Sequence, residues 1–230
     1  MTRPRPQLAA LLAAPHRRPT PPPSPYTVAT DGFEGNLYWQ YSAPGADPVC
    51  ALSAAQHHSG AQSLHLATTT TGAAPGDAMV AFRLWPWVET HLMTQDAWIY
   101  LPDPAKLGIL WWWAQLNDNL EWWHPHIAWD MATGGGYYWD DTGSPIHVGD
   151  LDHVWAAATW THLVFRIDIQ AKCYVSAAIG TDLADLSGLP FQQQTGAAPH
   201  NFQAEFGMQT SGAAAAHAYL DDLTITATRP

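Results

Sequence analysis

Beyond its first twenty-five residues the chain alternates apolar and polar positions with a period of two, not the 3.6 of a helix. In Leu110–Asn117 one parity collects Leu110, Trp112, Ala114 and Leu116, and the other collects Trp111, Trp113, Gln115 and Asn117. Strand side chains point alternately to opposite sides, so the first set predicts a core face. The second set predicts a face of flat aromatics mixed with amides, suited to stacking on a partner and hydrogen-bonding its edges. The same sorting sets Thr161, Leu163, Phe165, Ile167 and Ile169 against His162, Val164, Arg166 and Asp168, and Ala97, Ile99 and Leu101 against Trp98 and Tyr100. It sets Trp123, Ile127 and Trp129 against Trp122, His124, His126 and Asp130, and Val80, Phe82 and Leu84 against Ala81, Arg83 and Trp85. In each case the first-named set is the expected aliphatic side.

Strands are predicted at 37–41, 62–69, 78–84, 96–101, 109–117, 121–130, 160–170, 172–180, 203–210 and 217–227, separated by Gly, Pro, Asn and Asp. Many short antiparallel strands in 230 residues predict one all-β domain, a two-sheet antiparallel β-sandwich or jelly roll spanning 26–230. If these strands share a sheet, its outward side displays Trp98, Tyr100, Trp111, Trp113, Gln115, Asn117, Trp122, His124 and His126. An exposed aromatic patch of that size marks an interface or a ligand groove.

Composition sharpens this. Ten of the thirteen tryptophans fall between positions 85 and 139. The formal net charge of −11 is unevenly spread: Arg3, Arg5, Arg17 and Arg18 precede the first acidic residue, Asp31, which leaves five basic against twenty acidic residues in the body. An acidic body argues against nucleic acid, whose phosphates need Lys and Arg. Residues 1–25 read as an extended N-terminal arm. A short apolar run near Leu8, Leu11 and Leu12 predicts a brief helix over 7–14, and PHRRPTPPPSP (15–25) predicts a semi-rigid spacer. With the four arginines, those leucines are the expected anchors onto other protein subunits; a floppy, unanchored terminus is the alternative. The run is short and interrupted early by proline, so no cleavable signal peptide is expected. No stretch reaches the ~20 apolar residues of a membrane span. Cys50 and Cys173 form no spacing signature; free thiols are the preferred reading and a single bridge between the sheets is the alternative.

Four segments carry a family resemblance. Asp31-Gly32-Phe33-Glu34 and Ser59-Gly60-Ala61-Gln62-Ser63-Leu64-His65-Leu66 resemble the opening and an early strand of jelly-roll carbohydrate-binding modules. Trp160–Asp168 with Cys173-Tyr174-Val175 resembles the back strands of laminin-G-like domains, and Ala218–Ile225, containing Tyr219 and Asp221-Asp222, resembles their closing strand. The resemblance is to the concanavalin-A-like lectin/glucanase superfamily and covers the body from about Asp31 to Thr228, with a poorly matching middle. It implies a structural Ca²⁺ between the first and last strands, held by Glu34 and Asp222 with Asp31.

The candidate chemistries are thin. A glycosidase needs two carboxylates about 5–9.5 Å apart, whereas Glu121 and Asp130, nine residues apart on one predicted strand, would stand some 30 Å apart. The Glu-x-Asp-x-Glu strand of laminarinase-like members has no counterpart here. Asp140 and Asp141 are adjacent and diverge on any strand. His124-Pro125-His126 places two imidazoles on one side, a start for zinc but without an evident third ligand, so a polar rim to the aromatic patch is the expected role. No phosphate loop, nucleophile elbow or Cys–His pair occurs. The resulting expectation is a non-catalytic display protein of a larger assembly, of the phage-decoration or tail-accessory type, extracellular or on a virion surface, binding glycan through its aromatic face. A free carbohydrate-binding module or lectin is the alternative. A third reading puts most tryptophans in the core, which suits Trp112, Trp123, Trp129 and Trp160.

Overall fold

The computed structural model describes residues 24–43, 47–69, 73–86, 90–117, 121–196 and 201–229. The arm and its anchoring residues Arg3, Arg5, Leu8, Leu11, Leu12, Arg17 and Arg18 lie outside the described residues.

The described chain runs through β1 (Tyr26–Asp31), β2 (Gln40–Ser42), β3 (Val49–Ser53), β4 (Ser63–Ala67), β5 (Ala78–Pro86), β6 (Leu92–Leu101), β7 (Leu107–Asn117), β8 (Glu121–His124) and β9 (His126–Asp130). It continues through β10 (Gly136–Trp139), β11 (Pro145–His147), β12 (Thr159–Asp168), β13 (Cys173–Ile179), β14 (Asp182–Asp185), β15 (Gln192–Thr195), β16 (Asn201–Thr210) and β17 (His217–Ala227). Two antiparallel sheets face each other. One holds eight strands in the order β14-β13-β12-β6-β17-β4-β3, with β1 added on β17. The other holds nine in the order β11-β10-β9-β7-β16-β5-β2, with β8 pairing β7 and β15 pairing β8.

The alternation accounts for the core. Leu110, Trp112, Ala114 and Leu116 are at most 2% exposed, as are Ala97, Ile99, Leu101, Leu163, Phe165 and Ile167. The Trp112 indole N–H crosses the core from β7 and donates to Gln95 Oε1 on β6 at 2.6 Å, tying the sheets together. Pro125 divides the strand predicted over 121–130. It has no N–H for the ladder, but its carbonyl still accepts from Ala114 N at 3.0 Å, so β8 and β9 pair with successive parts of the same edge of β7. Cys50 and Cys173 are free, as expected.

Three expectations change. Trp98 and Tyr100 lie on β6 of the eight-stranded sheet, whereas Trp111, Trp113 and Trp122 lie on β7 and β8 of the nine-stranded sheet. The single aromatic patch is therefore two faces on opposite sides of the sandwich. On β5 the parity is reversed: Met79 and Ala81 are buried in the core, Trp85 packs against it, and Val80, Phe82 and Leu84 look outward. Apolar residues occupy both parities there, so alternation alone does not tell the faces apart. Trp160 leaves the core for the outer side of β12 beside Tyr100, while Trp39 and Trp155 join Trp112, Trp123 and Trp129 among the buried tryptophans.

Candidate functional site

Pairing arranges the outward residues of the nine-stranded sheet in rows across it. The central row runs Gln40, Phe82, Glu205, Trp113, His126. Trp139 completes it by stacking on His126, with ring centroids 3.9 Å apart and planes 14° from parallel. The next row runs Ser42, Val80, Gly207, Trp111, Ala128, Tyr137. On the other side lie Leu84, Gln203 and Gln115, then Pro86, Asn201, Asn117, Trp122 and Gln194.

Small neighbours let Trp111 lie flat. Its ring crosses Gly207 so closely that a Cβ there would sit 2.2 Å from the indole Nε1, and Ala128 flanks it on the other strand. The amides form a hydrogen-bonded run: Gln115 Nε2 donates to Asn117 Oδ1 at 3.2 Å, and Asn117 Nδ2 to Asn201 Oδ1 at 2.6 Å. Gln203 Nε2 donates to Glu205 Oε1. Next to Trp111 the face opens into a cavity of about 460 Å³ lined by Gly108, Ile109, Ala128, Asp130, Tyr137 and Trp139 among others.

Burial sets the protonation states. Glu205 is 4% exposed, and desolvation pushes its carboxyl up to about 7. Trp113 and Gln203 favour the ionised form but do not offset that burial. His124 and His126 flank the Trp113 ring edge-on at 5.6 and 4.9 Å. Desolvation pulls His124 down to about 4 and His126 to about 3, so both are neutral at pH 7. Their Nε2 atoms are buried without a hydrogen-bond partner. Supporting the site from beneath, Tyr174 on β13 of the opposite sheet donates from its hydroxyl to Trp139 O at 2.8 Å and accepts from His126 N at 2.9 Å.

Of the nine residues expected on one face, Trp111, Trp113, Gln115, Asn117, Trp122, His124 and His126 come together here. Asn117 and His124 are more deeply buried than a rim position implies, at 2% and 8% exposed. Trp98 and Tyr100 do not join them. Trp98 stacks on His58 at 3.9 Å and on His162 at 4.7 Å. Those imidazoles pair with Asp222 at 2.8 Å and Asp96 at 2.7 Å. Tyr100 packs with Trp160 and Tyr219. Parity missed Glu205, Tyr137, Trp139 and Tyr174. Glu205 sits between Ala204 and Phe206 on a strand that reads as core, and only its pairing with Trp113 places it on the face.

At the other end, Glu34 and Asp222 meet on one loop. Glu34 Oε1 accepts from Ala61 N at 2.6 Å and Gln62 N at 3.0 Å, in space that Gly60, at φ 61°, leaves open by lacking a Cβ. Asp222, itself at φ 52° beside a register shift in β17, accepts from Ser59 Oγ at 2.5 Å. Asp31 is directed elsewhere, to Arg83 and to Trp39 Nε1 at 3.0 Å. A Ca²⁺ ion prefers oxygen ligands, whereas these carboxylates face N–H and O–H donors that it would have to displace. Among the described residues no three His, Cys, Asp or Glu side chains converge on a metal position, His124 and His126 included.

No protein-family model matches the chain, and no curated protein matches it. Solved structures do. A cellulose-induced protein, Cip1, aligns with a TM-score of 0.57 at 15% identity over 88% of this chain and 98% of its own. A carbohydrate esterase from the Shiga toxin-encoding bacteriophage phi24B aligns with a TM-score of 0.56 at 12% identity over 89% and 100%. Peanut lectin aligns with a TM-score of 0.53 at 12% identity over 89% and 98%. At these identities the likeness is one of fold: the chain shares the two-sheet antiparallel β-sandwich of these structures.

Proposed function

We propose that this protein is a non-catalytic glycan-binding jelly roll that docks sugar on the outer face of its nine-stranded sheet. The observation that carries the reading is the arrangement of Trp111, Trp113, Tyr137 and Trp139 around the run of amides from Gln203 to Asn117. Flat rings suit the apolar C–H faces of sugars, and amides supply both donors and acceptors for hydroxyls. The two carboxylates of the face support binding over hydrolysis. Asp130 and Glu205 are two strands and four residues apart, roughly 16 Å by strand geometry and well beyond a glycosidase pair.

Anchoring by residues 1–25 to other subunits of an assembly, of the virion-decoration or tail-accessory type, is the second part of the proposal. It rests on the basic, proline-rich composition of that segment. The likeness to a phage esterase speaks to fold alone. An extracellular or virion-surface location goes with this reading, and no helix among the described residues is long and apolar enough to cross a membrane. A structural Ca²⁺ at Glu34 and Asp222 is retained as a proposal for measurement.

Affinity electrophoresis in gels containing soluble polysaccharides tests the first part: the full chain should be retarded, and Trp111→Ala/Trp113→Ala should run freely. Light scattering of full-length and 26–230 protein tests the second. Assembly of the full-length chain alone supports the anchor, and monomers in both cases contradict it.

A further inference from the structure

The charge around the aromatic rows bears on which glycan this face accepts, an inference that rests on the docking reading above. Among the described strands of the nine-stranded sheet, Arg83 is the one Lys or Arg. It shares the inward parity of Ala81 and Trp85, and its Nη1 is bound to Asp31 Oδ2. Lys172, from the turn before β13, is held by Glu121 at 3.0 Å and lies 4.5 Å over the Trp123 ring. Neither offers a cation to the outer face. That face carries the carboxyls of Glu205, in its central row, and Asp130, in the wall of the cavity, together with the neutral imidazoles of His124 and His126. At its edge on β11, opposite Tyr137, His147 is held by Asp152 at 2.8 Å.

Recognition of a uronate or sulfate calls for an Arg fork or a Lys charge to replace the water it loses. This face presents the opposite. A polyuronate or sulfated chain laid along the rows would bring its anions against Glu205 and Asp130 at low local dielectric, with no Lys or Arg among the described residues of the face to answer them. Uncharged sugar hydroxyls are matched instead, by Gln203, Gln115, Asn117 and Asn201 and by the Glu205 carboxyl as acceptor. We infer that the face selects an uncharged glycan and turns away polyuronates and sulfated chains, with Glu205 and Asp130 as the discriminating residues.

The test uses the full-length protein at pH 8 in native gels containing a neutral polymer (mixed-linkage β-glucan, xylan or galactan) or an acidic one (alginate, polygalacturonate or dextran sulfate). Glu205→Gln/Asp130→Asn removes the two carboxylates. Asp182→Asn/Asp185→Asn, on the edge strand β14 of the other sheet, is its charge-matched control, and melting curves confirm that both variants fold. The expected result is retardation of wild type by at least one neutral polymer and by no acidic one. Glu205→Gln/Asp130→Asn should then gain at least tenfold in affinity for an acidic polymer, and the control should not. Wild type binding an acidic polymer as tightly as any neutral one, in a manner lost in Trp113→Ala, overturns the selectivity while leaving glycan docking intact. An equal gain in the control also overturns it, because overall charge would then be the cause. Retardation by no polymer of either class removes the docking reading, and the selectivity with it.

Discussion

The two outer faces of the sandwich are built from the same residue types and differ in how those residues are partnered. On the eight-stranded side Trp98 is stacked by His58 and His162, whose edges are taken by Asp222 and Asp96. His65 and His217 share a 3.0 Å hydrogen bond beside Tyr219. On the nine-stranded side, among the described residues, His124 and His126 keep Nε2 atoms without partners, Glu205 has no counter-ion, and Trp111 lies flat over a glycine. Aromatic content alone therefore does not identify a binding face. The amides of this face also bond to one another, so what sets it apart is that the Trp113 Nε1 and two imidazole Nε2 atoms are left without a partner, and that makes it the candidate for a ligand.

The sharpest test of that contrast lies within three consecutive tryptophans. Trp112→Ala should cost about 3–5 kcal/mol in urea unfolding, since it empties a core site and deprives Gln95 of its partner. Trp111→Ala should cost less than about 1 kcal/mol; a loss equal to that of Trp112 would place Trp111 in the core.

Protonation gives the next largest effect, and it has opposite signs at two groups. His124 and His126 have folded values below the ordinary 6.5, so their contribution is complete above 6.5 and is lost as pH falls toward 4 and 3. Glu205 has a folded value above its ordinary 4.5, so its contribution is complete below 4.5 and is lost as pH rises through about 7. Glu205→Gln should therefore stabilise the protein at pH 8, by up to about 3 kcal/mol, and change little at pH 4. His126→Gln should flatten the acid limb of the melting profile. Equal effects of Glu205→Gln at both pH values would show that its carboxyl is not desolvated.

Smaller effects follow at the platform and the loop. Gly207→Ala should push the Trp111 ring off its seat and weaken glycan binding about tenfold, or 1.4 kcal/mol, with the fold retained. If Glu34 and Asp222 hold calcium, Ca²⁺ at ten times its Kd should raise stability by about 1.4 kcal/mol, reversed by EDTA. A melt indifferent to both removes the metal.

Much of this was legible in the sequence. Alternation located the core of β6, β7, β8, β9 and β12 because a buried strand face tolerates little but apolar residues. It brought seven of the nine expected face residues to one surface, because they lie on β7 and its direct neighbours β8 and β9. It misjudged Trp98 and Tyr100 because parity says which side of a strand a residue faces, not which sheet the strand joins. That is fixed by long-range pairing, here β6 between β12 and β17. β5 misled for a different reason: Phe82 and Leu84 are apolar yet outward, so both parities of the strand read alike. Glu205 and Tyr174 act through neighbours distant in sequence, which no local pattern records.

The most direct measurement is a calorimetric titration of one retained neutral polysaccharide into wild type, Trp113→Ala and Trp98→Ala at matched stability. The account predicts that Trp113→Ala loses about thirtyfold in affinity, the scale of a 2 kcal/mol hot spot, while Trp98→Ala binds as wild type does. Loss of binding in Trp98→Ala with Trp113→Ala unaffected would put the ligand on the eight-stranded face and contradict it.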